Sequence, residues 1–233
     1  MNQYTAEDFI NGQVILVDKE IGWTSFDVVN KLRVSLRNYL GIKKIKVGHT
    51  GTLDPLASGL IMVCTGKATK QIESFLGLDK EYVAELTLGA TTPSFDLESE
   101  INQTFTYNHV TRDLLDEKLK KFNGEIEQTP PIFSAKQING KRAYEFARQG
   151  ETVELKKNRV TIYETEILNF ELPLINMKIL CSKGTYIRSI ANDLGEALGT
   201  GAYLSGLRRT KIGDFNVKDA EKITDFLKKL KPL

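Results

Sequence analysis

GHTGTLDPLASGLIMVCTGKATK, residues 48–70, opens as a polar loop holding Gly48, His49, Gly51, Asp54-Pro55 and Gly59. It then turns abruptly into the apolar run LIMVC, residues 60–64. A run that short, bounded by glycines, predicts a buried strand, and Lys67–Leu76 predicts a helix after it. Outward from this stretch, VILVD (14–18) and EYVAELTLG (81–89) predict strands. So do residues 159–170 and 175–182. Helices are predicted over 24–39, where Thr24-x-x-Asp27 forms a capping box and Gly41 stops the turn, and over 112–122. Two more are predicted over 189–198, closed by Gly199, and from about 219 to 230. Strands and helices mix without strict alternation. The expected fold class is therefore α+β, a central, mostly antiparallel mixed sheet flanked by helices. QTPPIFSAKQINGKRAYEFARQG (128–150) begins with two prolines and is rich in turn formers, which predicts a protruding connection with a short helical end.

The chain has 233 residues, 41% hydrophobic and 27% charged, and so suits one domain or one domain with a small lobe. Cys64 and Cys181 lie far apart in apolar runs and read as small core residues of a reducing, cytoplasmic protein. MNQYTAEDF lacks the layout of a secretion signal, and no apolar run reaches the length of a membrane helix, so no membrane partner is expected. A formal net charge of +2 does not announce a nucleic-acid binder. Basic clusters do occur at 43–46, 118–121, 141–142, 156–159, 208–211 and 228–231. Each alone reads as a solvated face, and only a fold that gathers several would make an RNA footprint.

Several chemistries are excluded. CTGKAT (64–69) lacks the glycine spacing and the Ser or Thr of a phosphate loop. Lys67 near a predicted helix start nonetheless favours an anion nearby. His49 and His109 are too few for a histidine metal site, so no metal is expected, and His109 reads as a solvated loop residue. No serine sits in a G-x-S-x-G elbow. The loop offers one carboxylate where most glycosidases need two. Asp54 reads either as a structural turn residue or as a nucleophile or base that the glycines let a ligand approach. In CSKGTYIRS (181–189), a strand continuing through Arg188 would place Tyr186 and Arg188 on one face. Tyr82 reads as strand packing or as part of a site.

Together these stretches resemble the TruB family of tRNA pseudouridine synthases. DKEIGWTSFDVV (18–29) resembles the family's first motif and GHTGTLDPLASGLIMVCTGKATK its signature. Segments 80–99, 129–150, 181–195 and 204–215 follow in the family's order, so the resemblance covers nearly the whole chain. It implies isomerisation of uridine-55 in the tRNA T-loop to pseudouridine, with no cofactor. One carboxylate suffices for that reaction. By the resemblance Asp54 is the nucleophile, at C1′ of the sugar or C6 of the base. Tyr82 stacks on the base, Arg188 pairs with Asp54, and Tyr186 and Leu207 line the pocket. Lys19 supports the site, and His49 assists extrusion of the base. Lys67, Lys136, Lys141 and Arg142 are implied RNA contacts, the last three on a loop, residues 129–150, that closes on the RNA.

The resemblance also implies a domain plan and partners. Residues 1–215 would be the catalytic domain and 216–233 a short C-terminal helix, with no room for the further RNA-binding domain that many relatives carry. The T-arm of tRNA would be the partner of a monomer that needs no protein partner, and the grip on tRNA would be weaker than a long relative's. Glu20 stands where the family usually has proline, which predicts a local backbone change. Alternative readings are a tRNA-folding chaperone, beside or instead of catalysis, and a guide-RNA-dependent synthase subunit.

Overall fold

The computed structural model describes residues 5–134, 136–138, 140–149, 151, 153 and 155–230. They fall into two compact units, residues 5–82 with 208–230, and the described residues between 83 and 207. The first unit runs through α1 (Ala6–Asn11), β1 (Val14–Lys19), α2 (Ser25–Leu40), β2 (Val47–His49) and β3 (Ala57–Thr65). A 3-10 turn (Gly66–Gln71) and α3 (Ile72–Leu76) follow. Strand β4 (Lys80–Leu88) begins in this unit and ends in the second. The second unit adds β5 (Ala90–Thr91), β6 (Gln103–Thr104), α4 (Arg112–Leu119), β7 (Gly124–Gln128), β8 (Gln137–Ile138) and β9 (Lys141–Arg142). Next come α5 (Ala143–Arg148), β10 (Asn158–Glu171), β11 (Leu174–Cys181) and α6 (Ile187–Leu198). Strand β12 (Ala202–Ile212) leads back to the first unit, which closes with β13 (Phe215–Asn216), a 3-10 turn (Val217–Asp219) and α7 (Ile223–Lys228).

In the first unit β1 pairs antiparallel with β3, from Val14 opposite Cys64 to Lys19 opposite Gly59. β2 pairs with the far end of β3, from Val47 opposite Thr65 to His49 opposite Val63. The alternation of β1 sends Ile15 and Val17 into a core shared with Ile61 and Val63 of β3 and with Val28, Val29, Leu32 and Leu36 of α2. Phe9, Ile223 and Phe226 complete it. Thr24 and Asp27 close the expected capping box, with bonds of 3.0 Å and 2.9 Å, and Gly41 ends α2 at φ +63°. The register carries Lys19 and His49 to the end of the strands from which the Asp54 loop springs.

In the second unit β10 pairs antiparallel with β11 and with β7. Buried side chains of β4, β10 and β11, among them Leu86, Ile162 and Met177, form its core with Leu115 of α4 and Leu194 of α6. The architecture is α+β with a mixed, mostly antiparallel sheet flanked by helices, as expected. Isolated parallel bridges join Val17 with Glu221 in the first unit and Asp96 with Leu204 in the second.

The structure differs from the sequence reading at several elements. The helix expected over 67–76 is a 3-10 turn followed by a short α-helix. The strand expected to run through Arg188 stops at Cys181, and α6 begins at Ile187, so Tyr186 and Arg188 do not share a strand face. β12 was hidden because arginines and lysines interrupt its apolar pattern. The 128–150 segment is not simply protruding: Gln128, Pro130, Pro131 and Ser134 are buried. Residues 135, 139 and 150 of that segment, and Lys231 of the last basic cluster, lie outside the described residues. Cys64 and Cys181 are buried, and burial pushes the Cys64 thiol up to about 11. No described helix is long and apolar enough to cross a membrane.

Candidate active site

The loop carrying Asp54 is held at every residue from 50 to 55. The Thr50 amide donates to the Met62 carbonyl (3.0 Å), and the Gly51 amide to Nδ1 of His49 (3.3 Å). The Leu53 amide donates to Ser25 Oγ (2.8 Å), whose hydroxyl lies 3.0 Å from the Leu53 carbonyl. The Asp54 carbonyl accepts from the Ala57 amide (3.0 Å) and the Pro55 carbonyl from the Gly22 amide (2.8 Å). On the other side Arg209 donates from Nη2 to Gly51 O (3.3 Å), from Nη1 to Thr52 O (3.4 Å) and from Nε to Leu60 O (2.7 Å). The Asp54 side chain is half-buried at the tip of this frame.

Two glycines have different functions here. Gly51 sits at φ +131°, a conformation that L side chains rarely adopt, and a Cβ there would make only ordinary contact, 3.7 Å from Leu76 and 3.8 Å from Arg209. Gly59, at φ +106°, is a packing glycine, since a Cβ there would lie 2.3 Å from the Arg209 carbonyl oxygen. The close approach expected of a ligand is made at Gly59 by β12 instead.

Besides Arg209, the titratable side chains of Lys19 and His49 stand beside the loop. Lys19 is 1% exposed and donates to the carbonyls of Glu20 (3.1 Å) and Trp23 (2.7 Å). Burial pushes its ammonium down to about 8, with the Asp54 carboxylate opposing that shift and Arg209 adding to it. Burial and the Arg209 charge likewise lower His49, so its imidazole is neutral at pH 7 and its Nδ1 accepts from Gly51. Glu20, where the family usually has proline, forms a 2.8 Å ion pair with Lys222. Tyr82 in β4 is 8% exposed.

The second unit holds the other expected residues. Arg188, in the first turn of α6, is 4% exposed and lies 3.5 Å from Asp96. It also donates to the carbonyls of Ser94 (3.3 Å) and Phe133 (2.9 Å). Asp96 itself accepts from the Glu98 amide (2.9 Å) and follows Phe95, the non-glycine residue at φ +62°. A left-handed conformation there is locally strained. Gln128 fixes the start of α6 by exchanging two hydrogen bonds with the Tyr186 backbone, of 2.8 Å and 3.0 Å. Tyr186 and Leu207 are half-buried.

The basic clusters divide sharply. The 208–211 cluster is no footprint: Arg208 makes a two-pronged pair with Asp18 (2.7 and 3.0 Å), Arg209 is buried, and Lys211 pairs with Glu81 (3.0 Å). By contrast the β2–β3 hairpin gathers exposed Lys43, Lys44 and Lys46 beside Lys67 and Lys70, through the Gly66 amide on the Lys46 carbonyl (2.9 Å). Among the described residues none of these five forms an ion pair within 4 Å, and Lys67 donates to Asn11 (3.0 Å). Lys136 donates within the protein, to Lys156 O (2.6 Å) and Asn158 Oδ1 (2.7 Å). Lys141 stands 5.6 Å from the Phe146 ring centre, and Arg142 lies in β9. His109 is exposed, 3.0 Å from the Leu198 carbonyl oxygen. Among the described residues no group of three or more His, Cys, Asp or Glu side chains could hold a metal ion.

Sequence reasoning missed Ser25, Asp96 and Arg209. Ser25 looked like part of a helix start and Arg209 like part of a solvated cluster. The signal available for Asp96 was only its place in a turn-forming run, TTPSFD.

Comparison with known proteins follows the same residues. Residues 37–187 match a family model described as the N-terminal domain of TruB family pseudouridylate synthase. Residues 188–231 match one described as the tRNA pseudouridylate synthase B C-terminal domain. The chain is 55% identical to tRNA pseudouridine synthase B of Phocaeicola vulgatus, over 94% of this chain and 93% of that protein. It is 53% identical to the protein of the same name from Flavobacterium johnsoniae, over 95% and 97%. Among solved structures it resembles a chain of a Cbf5-Nop10-Gar1 complex, with TM-score 0.72 and 30% identity. It also resembles a chain of an H/ACA RNP bound to a substrate RNA containing 2'-deoxyuridine, with TM-score 0.69 and 29% identity. In both, 97% of this chain is covered but only 56% of the solved chain.

Proposed function

This chain belongs to the TruB family of pseudouridylate synthases, and from that premise we propose that it converts uridine-55 in the T-loop of tRNA to pseudouridine. The observation that carries the reading is the Asp54 loop, in which one half-buried carboxylate is presented by a backbone fastened at each residue. In the reaction the C1′–N1 bond breaks and a C1′–C5 bond forms, while the C5 proton leaves and N1 takes one up. No bond needs oxidant, water or cofactor. Asp54 supplies the nucleophilic oxygen, at C1′ or at C6. Tyr82 stacks on the base, and Arg188 acts as the charge that orients the carboxylate, its own guanidinium anchored by Asp96. Tyr186 and Leu207 contact the base, Lys19 supports the loop, and neutral His49 fills the space that the extruded base vacates.

Binding of tRNA is supported by the five lysines gathered on the β2–β3 hairpin, which suit phosphates. Lys136, Lys141 and Arg142 are proposed as further contacts of the 129–150 loop. The proposed organisation is a catalytic region through residue 215 followed by a short helix. It would work on tRNA as a monomer without a guide RNA, in keeping with the identity of over half to proteins named as tRNA enzymes.

The test is release of tritium from C5-labelled uridine in an unmodified tRNA transcript. Asp54→Asn is expected to lower the single-turnover rate by at least about 10⁴-fold, the scale of losing a nucleophile. Full release by that variant would overturn the assignment. Wild-type protein that binds tRNA and releases nothing would favour the chaperone reading.

A further inference from the structure

Arg209 is 1% exposed, and its three recorded hydrogen bonds all go to backbone carbonyls. Placing a permanently charged guanidinium in a protein interior is unfavourable unless its donors are well used. Two of these bonds reach Gly51 and Thr52, just before Asp54, and the third anchors the same group to Leu60 in β3. Ser25 is 3% exposed and grips the next residue from the opposite side, accepting from the Leu53 amide and donating to the Leu53 carbonyl. Through these two side chains, helix α2 and strand β12 each hold the loop. The close packing of Gly59 on the Arg209 backbone fixes the guanidinium's own base. Removing either grip would strip these carbonyls of a donor and free the peptide planes that lead into Asp54 to reorient.

We propose that Arg209 and Ser25 are positioning residues for the isomerisation, a two-sided clamp on residues 51–53 that presets the direction of the Asp54 carboxylate. The proposal rests on Asp54 being the reacting carboxylate. The clamp touches neither substrate nor reacting atoms. It acts through the geometry of the attack, where a displacement of about 1 Å can lower a rate about 100-fold.

The experiment measures single-turnover rate at saturating enzyme, tRNA dissociation constant, and amide hydrogen exchange over residues 50–54. The proteins are wild type, Ser25→Ala, Arg209→Lys and Asp54→Asn, with Arg112→Met as a surface control. Ser25→Ala and Arg209→Lys are expected to slow the chemical step by about 10- to 100-fold. The tRNA dissociation constant should stay within about twofold, with faster exchange at the Leu53 amide. Either clamp variant that folds and keeps the wild-type rate overturns the proposal, as does a rate loss fully matched by weaker binding. Should Arg209→Lys fail to fold, Ser25→Ala decides alone, since it leaves the guanidinium in place. Asp54→Asn separates the two readings: if it retains activity, the assignment of Asp54 fails whatever the clamp does. If it is inactive while Ser25→Ala is fully active, only the clamp fails.

Discussion

The loop before Asp54 and the turn before Asp96 solve the same problem, fixing one charged side chain, by different means. The first is held by neutral groups and by a guanidinium that addresses only backbone carbonyls. The second places a carboxylate 3.5 Å from Arg188, with side chains 7% and 5% exposed, and uses a strained residue, Phe95, to do so. Backbone tethers fix direction while leaving the Asp54 carboxylate half-exposed. A buried ion pair fixes an arginine with a carboxylate that is itself buried. Exposure of the charged group therefore goes with backbone anchoring, and its burial goes with charge pairing.

The largest expected effect that would break this comparison is at Asp96. Asp96→Asn keeps the shape and takes from the buried Arg188 guanidinium the carboxylate that lies 3.5 Å from it, and breaking such a pair costs about 3–5 kcal/mol. Urea unfolding should show a loss of that size, against about 1–3 kcal/mol for Ser25→Ala, which strips a neutral partner from buried backbone. Equal losses in the two variants would mean that the anchors do not differ in kind.

What the sequence disclosed follows the same division. The alternation in VILVD, the Thr24–Asp27 box and the continuous apolar run LIMVC were legible because period and cap chemistry are local. Asp54, Tyr82 and Arg188 stood out through motif resemblance. Arg209 did not, because a charged residue inside a basic run looks solvated until a strand buries it. β12 was lost for the same reason: its arginines are accounted for by Asp18 and by loop carbonyls, partners remote in sequence. The boundary at Tyr186 was misread because Gln128, 58 residues away, caps that turn.

A smaller effect sharpens the contrast between committed and uncommitted charge. Lys43, Lys44, Lys46 and Lys70 are exposed, in contrast to Arg208, already neutralised by Asp18. Replacing one of these lysines with alanine should reduce the dependence of log affinity on log salt by about 0.7–0.9 if it meets one phosphate. The single-turnover rate at saturation should not change. Arg208→Ala should leave the salt slope unmoved, and a slope identical for all five variants would detach the hairpin lysines from RNA binding.

The smallest effect concerns Lys19, a buried charge of the first unit. Its ammonium titrates at about 8 in the folded protein and near 10.5 when unperturbed. Below pH 8 both states hold the proton, and the folded state bears the full penalty of the buried charge. Between about 8 and 10.5 the unfolded chain binds a proton that the folded chain has released, so this group makes stability rise with pH. Lys19→Met removes that dependence along with the bonds to the Glu20 and Trp23 carbonyls. The difference in urea stability between wild type and Lys19→Met should therefore move in favour of the wild type from pH 7.5 to pH 10, other titrations cancelling between the two proteins. A difference constant over that window would mean that Lys19 keeps its proton throughout, and the distinction between the two anchors would then rest on Asp96 alone.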